Sequence, residues 1–174
     1  MPVTIRRART ADAAALAELA ARIFHDTFAR SNSAEDMEAF LAGAYTESRQ
    51  RAETEDPAII TLLAEAGALI GYAQVRSGEP PPCVTGRGPV EIMRFYVEKA
   101  HHGSGVAQML MGEVERVAAG LGAGTLWLGV WERNDRALAF YRKQGFREVG
   151  TAPFVVGKDV QTDLVLERPL TRRA

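Results

Sequence analysis

Apolar side chains recur along this chain at two periods, one typical of helices and one typical of strands. Thr10 is a candidate N-cap, and the apolar residues after it recur at helical spacing: Leu16, Leu19, Ala20, Ile23, Phe24 and Phe28. It returns over residues 105–119, where the apolar face is expected to contain Val106, Met109, Leu110, Val114, Val117 and Leu121. We predict further helices after Ser33, over residues 46–55, and between Asn134 and Gly145.

Segments with the apolar character of strands lie at residues 3–6, 58–63, 69–75, 91–97, 125–130, 146–149 and 160–166. Gly67 lies in a turn-length break between the second and third of them, which predicts an antiparallel hairpin. A glycine-containing loop is expected to join the last two strands, and the proline-rich residues 77–89 form the one loose stretch. The order β-α-α-β-β-β-α-β-α-β-β indicates an α/β or α+β fold with a mixed sheet.

Length and composition narrow the class of protein. The 174 residues suit a single domain, 1–174, that buries a sizeable core. Apolar residues make up 47% of the chain and charged residues 25%, which excludes a disordered or collagen-like chain. No uncharged run is long enough to cross a bilayer, and no apolar signal core follows the N-terminal arginines. We therefore expect a cytoplasmic protein without membrane contact, and the single cysteine, Cys83, forms no internal disulfide.

The balance of charge bears on the kind of partner. The chain carries 21 basic and 22 acidic side chains, for a formal net charge of −1. A protein that neutralises many phosphates of a nucleic acid usually shows a clear basic excess. We therefore expect no nucleic-acid partner, and a small-molecule substrate is favoured.

The loop after the predicted strand 91–97 is the first segment with candidate chemistry. Gly103-Ser104-Gly105 leads into a helix, where unpaired N–H groups and the helix dipole attract an anion such as a pyrophosphate. Glycine lets the backbone approach such an anion without a Cβ in the way. A flexible connection explains the two glycines equally well. A Rossmann dinucleotide loop is disfavoured because Gln108 occupies the third glycine position.

A second segment, residues 128–146, favours the anion site over a flexible connection. It matches the pattern Asn-x-x-Ala-x-x-Phe-Tyr-x-x-x-Gly-Phe at Asn134, Ala137, Phe140, Tyr141, Gly145 and Phe146. Together with the loop His102-Gly103-Ser104-Gly105-Val106-Ala107, it resembles the GCN5-related N-acetyltransferase (GNAT) superfamily, whose loop reads Arg/Gln-x-x-Gly-x-Gly/Ala. The two motifs stand in the family's order, one helix and one strand apart. His102 departs from the pattern, which affects one side-chain contact but not the backbone cradle.

The resemblance implies the GNAT fold, a mixed and mostly antiparallel sheet of about seven strands, splayed between strands four and five and flanked by helices. It implies acetyl-CoA as cosubstrate, with its pantetheine paired to the backbone of Phe95, Tyr96 and Val97. The phosphates would lie on the loop formed by His102, Gly103, Ser104, Gly105, Val106 and Ala107. The N–H of Val97 would stabilise the thioester oxygen. Asn134 and Tyr141 would contact the cofactor, and Tyr141 would protonate the departing thiolate.

A narrower resemblance concerns the acceptor. Residues 24–28, Asn32, Met37 and residues 154–166 are similar to bacterial spermidine/spermine N-acetyltransferases. This implies a polyamine acceptor and places Phe28 and Glu91 at its binding site. Acidic residues on the first helices would then surround a polycation, namely Asp26, Glu35, Asp36 and Glu38. Charge on a helix is commonly only a solvated face, so both interpretations stay open.

Glu91 is the predicted general base. A primary amine has a pKa of about 10.4, like lysine, and must lose a proton before it attacks. Regular alternation along a strand would put Glu91, Met93 and Val97 on one face with Phe95, so that the carboxylate reaches the amine through water. A surface carboxylate at a strand end is the competing interpretation. For Tyr141 the alternative is a core aromatic, and for Asn134 a helix N-cap.

The remaining chemistry points away from metal and from a covalent enzyme intermediate. His101 and His102 have no further Cys or His cluster beside them, so we expect no metal site. Cys83 lies among prolines without a partner base, which favours direct attack of an amine on acetyl-CoA within a ternary complex. The chain is interpreted as an N-acetyltransferase with a polyamine as leading acceptor, acting as a monomer or homodimer. The alternatives are acetylation of a protein N-terminus, an amino acid or an aminoglycoside, and a non-catalytic acyl-CoA-binding regulator.

Overall fold

The computed structural model describes residues 1–171, so residues 172–174 of the predicted domain lie outside the described residues. The strands are β1 (Thr4–Arg7), β2 (Ile59–Glu65), β3 (Leu69–Arg76), β4 (Pro89–Val97), β5 (Thr125–Trp131), β6 (Arg147–Val156) and β7 (Asp159–Pro169). The helices are α1 (Ala13–Phe28), α2 (Ala34–Ala44), α3 (Glu47–Glu55), α4 (Val106–Gly120) and α5 (Asp135–Lys143). A single domain over 1–174 stays a prediction.

The seven strands form one sheet in the order β1-β2-β3-β4-β5-β7-β6. Every neighbouring pair is antiparallel except β4 and β5, which are parallel. These two strands pair only from Pro89 opposite Thr125 to Glu91 opposite Trp127. Beyond that point β4 stays with β3 and β5 stays with β7, so a gap opens between them. The predicted mixed sheet with a splay between strands four and five is confirmed.

Apolar cores lie on both faces of the sheet. On one face α4 and α5 bury Leu110, Val114 and Leu138 against β3, β4 and β5. On the other face α1 buries Phe24 with Tyr72 of β3. Burial of a large apolar side chain contributes roughly 1.5–3 kcal/mol, so these two layers fix the sheet between them. Within residues 1–171, no helix is long and apolar enough to cross a bilayer.

The predicted apolar face of α4 was wrong at two positions. Met109 and Leu121 are each 47% exposed, whereas Met111 and Ala118 are buried in the core. Leu121 lies beyond the last residue of the helix, where helical spacing no longer fixes its direction. Met109 lies one-third of a turn outside the stripe that contains Leu110, because each residue turns the helix by about 100°.

Four of the five predicted helix starts are confirmed, one of them at Gly105, which directly precedes α4. Ser33, Thr46 and Asn134 each accept a hydrogen bond from a backbone N–H in the first turn. Thr10 does not cap α1, because a short 3₁₀ turn over Thr10–Asp12 precedes the helix. The Asp12 carboxylate accepts from the Arg9 N–H at 2.7 Å instead. Its contact with Arg6 lowers the pKa of Asp12 to about 2.

The last two strands are longer than predicted. Residues 150–156 continue β6, and a turn at Gly157, with φ of +60°, joins it to β7. Pro153 lies within β6 opposite Thr162. Proline is tolerated there because β6 is the edge strand of the sheet and its missing N–H faces away from the ladder. The segment that contains this proline is therefore part of an edge strand and not a loop.

A bulge in β4 reverses the predicted faces of the strand. Val75 lies opposite Ile92 and Gln74 lies opposite Arg94, so Met93 is the extra residue. As a result Phe95 and Val97 pack on the α4 face. Glu91 points to the opposite face, where its partner Arg76 is also located. The expectation that Glu91 shares a face with Val97 was therefore wrong.

Candidate active site

The gap between β4 and β5 forms a cavity of about 270 Å³, which we call the first cavity. Its wall includes nine of the residues predicted to bind cofactor or acceptor: Phe28, Phe95, Tyr96, Val97, His102, Gly103, Ala107, Asn134 and Tyr141. Ser104, Gly105 and Val106 are outside the wall and continue the same loop into α4. The splay therefore collects most of the predicted site from four separate segments of the chain.

The loop before α4 has the features of an anion cradle. Gly103 and Gly105 have φ of +76° and +90°, and a Cβ built on either would meet no atom within 4 Å. The Val106 side chain is buried in the core, so only its backbone faces the loop. Ser104 Oγ donates to the His101 carbonyl at 2.6 Å. The first N–H groups of α4 have no carbonyl one turn earlier, and no acidic residue lies in that turn.

The β4 edge that faces the gap has free backbone groups. The N–H of Glu98 donates to the Ile70 carbonyl at 2.8 Å. In an antiparallel pair, residues alternate between those that bond to the neighbouring strand and those that face away from it. The N–H and carbonyl of Val97 therefore point away from β3 and into the splay. This is the geometry that an added strand-like ligand requires.

His102 has a different contact from the one that its motif position implied. Its Nε2 lies 2.9 Å from the Val97 carbonyl, to which it donates because a carbonyl only accepts. The guanidinium of Arg136, which also lines the first cavity, contacts both ring nitrogens. Burial lowers the pKa of His102, with further lowering by the Arg136 charge, so the ring is neutral near pH 7. The His102 ring therefore lies between Arg136 and the Val97 carbonyl.

Asn134 is the N-cap of α5, and Tyr141 lies near the end of that helix. Tyr141 is buried against Phe95, Phe140 and Phe146. Burial raises its pKa above the usual range for a phenol, so the hydroxyl stays protonated at neutral pH. Asn134 Oδ1 accepts from the Ala137 N–H at 3.2 Å, and the residue also lines the first cavity. Asn134 can therefore cap α5 and contact a ligand in the first cavity at the same time.

A second cavity, of about 610 Å³, adjoins the first on the α2–α3 side of the sheet. The two cavities share the residues Met93, Arg94, Tyr96, Gly129, Phe154 and Asp163. The splay therefore opens to both faces of the sheet. A volume of this size suits a small molecule.

Glu91 lies on the second cavity and not on the first. Its carboxylate is paired with Arg76 at 2.6 Å. Farther inside, Arg94 donates to Glu53 at 2.5 Å and to Gln74 at 2.6 Å. These carboxylates thus already have cationic partners.

Asp163 is the functional candidate that the sequence did not identify. It lies on β7 opposite Trp131 of β5 and lines both cavities. Its Oδ1 is buried without a hydrogen-bond partner among the described residues. Burial raises its pKa from 3.8 to about 6. The available signal was one acidic residue in an otherwise alternating strand segment, Gln161-Thr162-Asp163-Leu164, which does not distinguish a pocket from a surface.

The acidic residues predicted to surround a polyamine do not line either cavity. Asp36 accepts from Ser33 and from the backbone N–H of Lys158 in the β6–β7 turn, and these hydrogen bonds lower its pKa. Glu35 lies 3.6 Å from the Lys158 ammonium. Asp26 and Glu38 are exposed. Glu35, Asp36 and Glu38 lie on α2 and Asp26 lies on α1, so these side chains are outside the walls of both cavities.

Two further predictions concern metal and cysteine chemistry. Among residues 1–171, no group of three or more His, Cys, Asp or Glu side chains is arranged to hold a metal ion. Cys83 packs beside Val84 and Trp127 and lies against Gly150, away from both cavities. A thiol in that position has no access to the splay.

Similar proteins agree with this geometry. Curated relatives include an uncharacterized N-acetyltransferase of Mycobacterium bovis, 34% identical over 161 residues that cover 91% of this chain and 98% of that one. Another, from Lactobacillus delbrueckii subsp. lactis, is 32% identical and covers 84% of this chain and 86% of its own. Neither name mentions spermidine or spermine, so these relatives do not support the narrower resemblance.

Solved structures share the fold. PaiA N-acetyltransferase from Thermoplasma acidophilum, in complex with coenzyme A, matches with a TM-score of 0.79 at 22% identity, over 97% of this chain and 99% of that one. YncA from Salmonella typhimurium, with its cofactor acetyl-CoA, matches with a TM-score of 0.67 at 26% identity, over 100% and 97%. The family model for the acetyltransferase (GNAT) family matches residues 16–146, and the chain belongs to that family.

Proposed function

We propose that this protein transfers the acetyl group of acetyl-CoA to a primary amine by direct attack within a ternary complex. The observation that carries the proposal is the splay, which has a phosphate cradle at one end and opens to a second cavity at the other. A thioester and an amine that enter from opposite faces of the sheet would meet at the shared wall. Holding two reactants in this way removes much of the entropic barrier to their reaction.

Acetyl-CoA would be held mainly by backbone. The N–H groups at the start of α4 would bind the pyrophosphate, and the glycines of the loop leave open space for it. Arg136 is the cation that would replace the Arg or Gln missing at position 102. Its guanidinium reaches the loop through His102, and it has no carboxylate partner among the ion pairs of residues 1–171. The pantetheine would pair with the outward edge of β4.

Two groups of the chain would act on the acetyl transfer itself. The N–H of Val97 points into the splay and would donate to the thioester oxygen as negative charge develops there. The Tyr141 hydroxyl stays protonated and would donate to the departing sulfur. The amine nitrogen bonds to the acetyl carbon and the carbon–sulfur bond breaks. Tyr141 gives its proton to the sulfur, which completes the thiol, and one amine proton then restores the phenol.

The acceptor would occupy the second cavity. A polyamine is the acceptor that the sequence resemblance favours, and Asp163, beside the paired carboxylates of Glu53 and Glu91, is the acidic group available to its ammonium. A second candidate is an amine that also carries a carboxylate. Arg76 and Arg49 line the same cavity with half-exposed side chains, and an arginine binds a carboxylate well.

Release of CoA in the presence of an amine panel tests this proposal. The panel pairs cadaverine with lysine, which differ only in the carboxylate, and adds spermidine, spermine, an aminoglycoside and a short peptide. Turnover with an N-acetylated product supports the function, and the ratio of lysine to cadaverine decides between the two kinds of acceptor. Tight acetyl-CoA binding without turnover on any amine would contradict the enzyme and favour a non-catalytic acyl-CoA-binding protein.

A further inference from the structure

We infer that Asp163, rather than Glu91, is the general base that takes the proton from the acceptor ammonium. The inference rests on the proposed function, because it assigns a group to the proton step of that reaction. It depends on where Asp163 lies, on which of its atoms are free, and on what Glu91 is bound to.

Asp163 lies at the junction of the two cavities. It belongs to the wall that they share, together with Gly129 of β5 and Arg94 and Tyr96 of β4. An amine in the second cavity must pass this wall to reach a thioester in the first. Glu91 is on the second cavity alone, on the far side of the bulge at Met93.

The local structure makes room for the Asp163 carboxylate. Its Oδ2 lies 3.1 Å from the position that a Cβ on Gly129 would occupy. A Cβ at that position of β5 would move the carboxylate by a few tenths of an ångström, so glycine leaves room for its present location. Its Oδ1 is buried with no donor among residues 1–171. A buried acceptor without a donor is costly, and an ammonium group would satisfy it.

The two carboxylates differ in their charge environment. The Glu91 carboxylate is paired with Arg76 at 2.6 Å, so a cation already occupies it. The wall that Asp163 shares between the cavities also contains Arg94 and Tyr96 of β4. Further titratable groups line one cavity only: His101, His102, Arg136 and Tyr141 in the first, and Tyr45, Arg49, Glu53, Asp56, Arg76 and Glu91 in the second. Burial raises the pKa of Asp163 from 3.8 to about 6, closer to that of an amine than an ordinary aspartate.

The proton balance is complete without another reactant. One proton of the ammonium passes to the Asp163 carboxylate and leaves from there to solvent. The free amine then attacks the acetyl carbon, and its second proton replaces the one that Tyr141 gives to the sulfur. Asp163 returns to the carboxylate form, and the products are the amide and the thiol.

The pH dependence of kcat/KM tests the inference, with the fastest of spermidine, cadaverine and lysine as acceptor. We expect log kcat/KM of the wild type to rise with pH and to level off above an inflection near 6. Asp163→Asn should lower kcat/KM by about 100- to 1,000-fold and remove the inflection, since general base catalysis contributes that much. Its affinity for acetyl-CoA, measured by calorimetry, should stay unchanged.

Two control variants make the test specific. Asp159→Asn removes an exposed carboxylate from the same strand and should retain wild-type activity. Glu91→Gln should change KM more than the position of the inflection. The inference is overturned if Asp163→Asn keeps the inflection or if Glu91→Gln removes it while the wild type turns over. A wild type inactive on every amine would instead overturn the proposed function, and the base with it.

Discussion

The two cavities of this protein differ in the chemical groups that they offer to a ligand. The first cavity and the loop beside it offer backbone groups: the N–H groups at the start of α4, Gly103 and Gly105 with positive φ, and the β4 edge at Val97. The second cavity presents side chains, among them Arg49, Glu53, Arg76 and Glu91, which come from α3, β3 and β4. A backbone site is encoded by a short local motif. A side-chain site depends on which distant residues the sheet brings together.

This difference explains which ligand the sequence could identify. The cofactor is the same throughout a family and binds in one geometry, so backbone groups of a loop and a strand edge can hold it. The acceptor differs between members, and side chains change without disturbing the fold. Substitutions in the first cavity should therefore weaken acetyl-CoA binding or turnover, whereas those in the second should alter acceptor preference and the response to pH.

The largest effect is expected at the phosphate loop. Gly105→Glu places a carboxylate in the cradle and forces a side chain onto a φ of +90°, so acetyl-CoA affinity should fall by at least about 100-fold. Calorimetric titration with acetyl-CoA measures this loss.

Gly112→Ala is the matched control for that substitution. Gly112 lies within α4, and a Cβ on it would meet nothing within 4 Å. This variant should bind normally and be more stable by about 0.5–1 kcal/mol, the usual preference for alanine over glycine in a helix. Normal affinity in Gly105→Glu would mean that the loop does not hold the phosphates.

After Gly105→Glu and Asp163→Asn, loss of the Tyr141 hydroxyl should have the next largest effect. Tyr141→Phe keeps the aromatic packing with Phe95 and Phe146 and removes the proposed donor to sulfur. We expect kcat to fall by about 10- to 100-fold with little change in acetyl-CoA affinity. Because burial raises the pKa of Tyr141 above the usual phenol range, the inflection near pH 6 should remain. Steady-state kinetics from pH 5 to 9 measure both quantities, and unchanged kcat would remove Tyr141 from the reaction.

A smaller effect is expected at Arg136. Arg136→Ala removes the exposed guanidinium that contacts His102 beside the loop. Acetyl-CoA affinity should fall by about 5- to 10-fold, and the loss should shrink as salt rises, because salt screens an exposed ion pair. Arg133→Ala, an exposed arginine of the same segment outside the first cavity, should bind like the wild type. Equal losses in the two variants would indicate a general charge effect instead.

The smallest effect is a change in stability with pH. Because burial raises the pKa of Asp163 to about 6, the folded protein holds a proton that the unfolded chain releases near 3.8. The free energy of unfolding therefore falls as pH rises from about 4 to 6. Asp163→Asn removes that penalty, so its Tm should exceed the wild-type Tm at pH 8 by roughly 2–4 °C and by less at pH 4.

Thermal melts of the wild type, Asp163→Asn and Asp159→Asn at both pH values check this prediction. Asp159 is exposed, so its variant should show no such difference between pH values. An Asp163→Asn gain of equal size at pH 4 and pH 8 would mean that the carboxylate is not the origin of the effect.

The sequence predicted local features well and distant contacts poorly. The cap at Asn134, the glycine loop before α4 and the seven strands each depend on residues close together in the chain, and they are confirmed. The face of Glu91 depends on a one-residue bulge at Met93, which no local pattern announced. The Arg136–His102 contact and the Asp163 carboxylate depend on the splay, which brings α5 and β7 beside β4. The positions of these side chains depend on how the strands assemble into the sheet and not on residue spacing along the chain.

The most direct test of the account is CoA release by the wild type and by Gly105→Glu on the amine panel, with the acetylated product identified by mass spectrometry. The account predicts steady release in the wild type only when an amine is present, one N-acetylated product for each CoA, and none with Gly105→Glu. Release that does not depend on an amine, or that persists in Gly105→Glu, would contradict acetyl transfer at the splay.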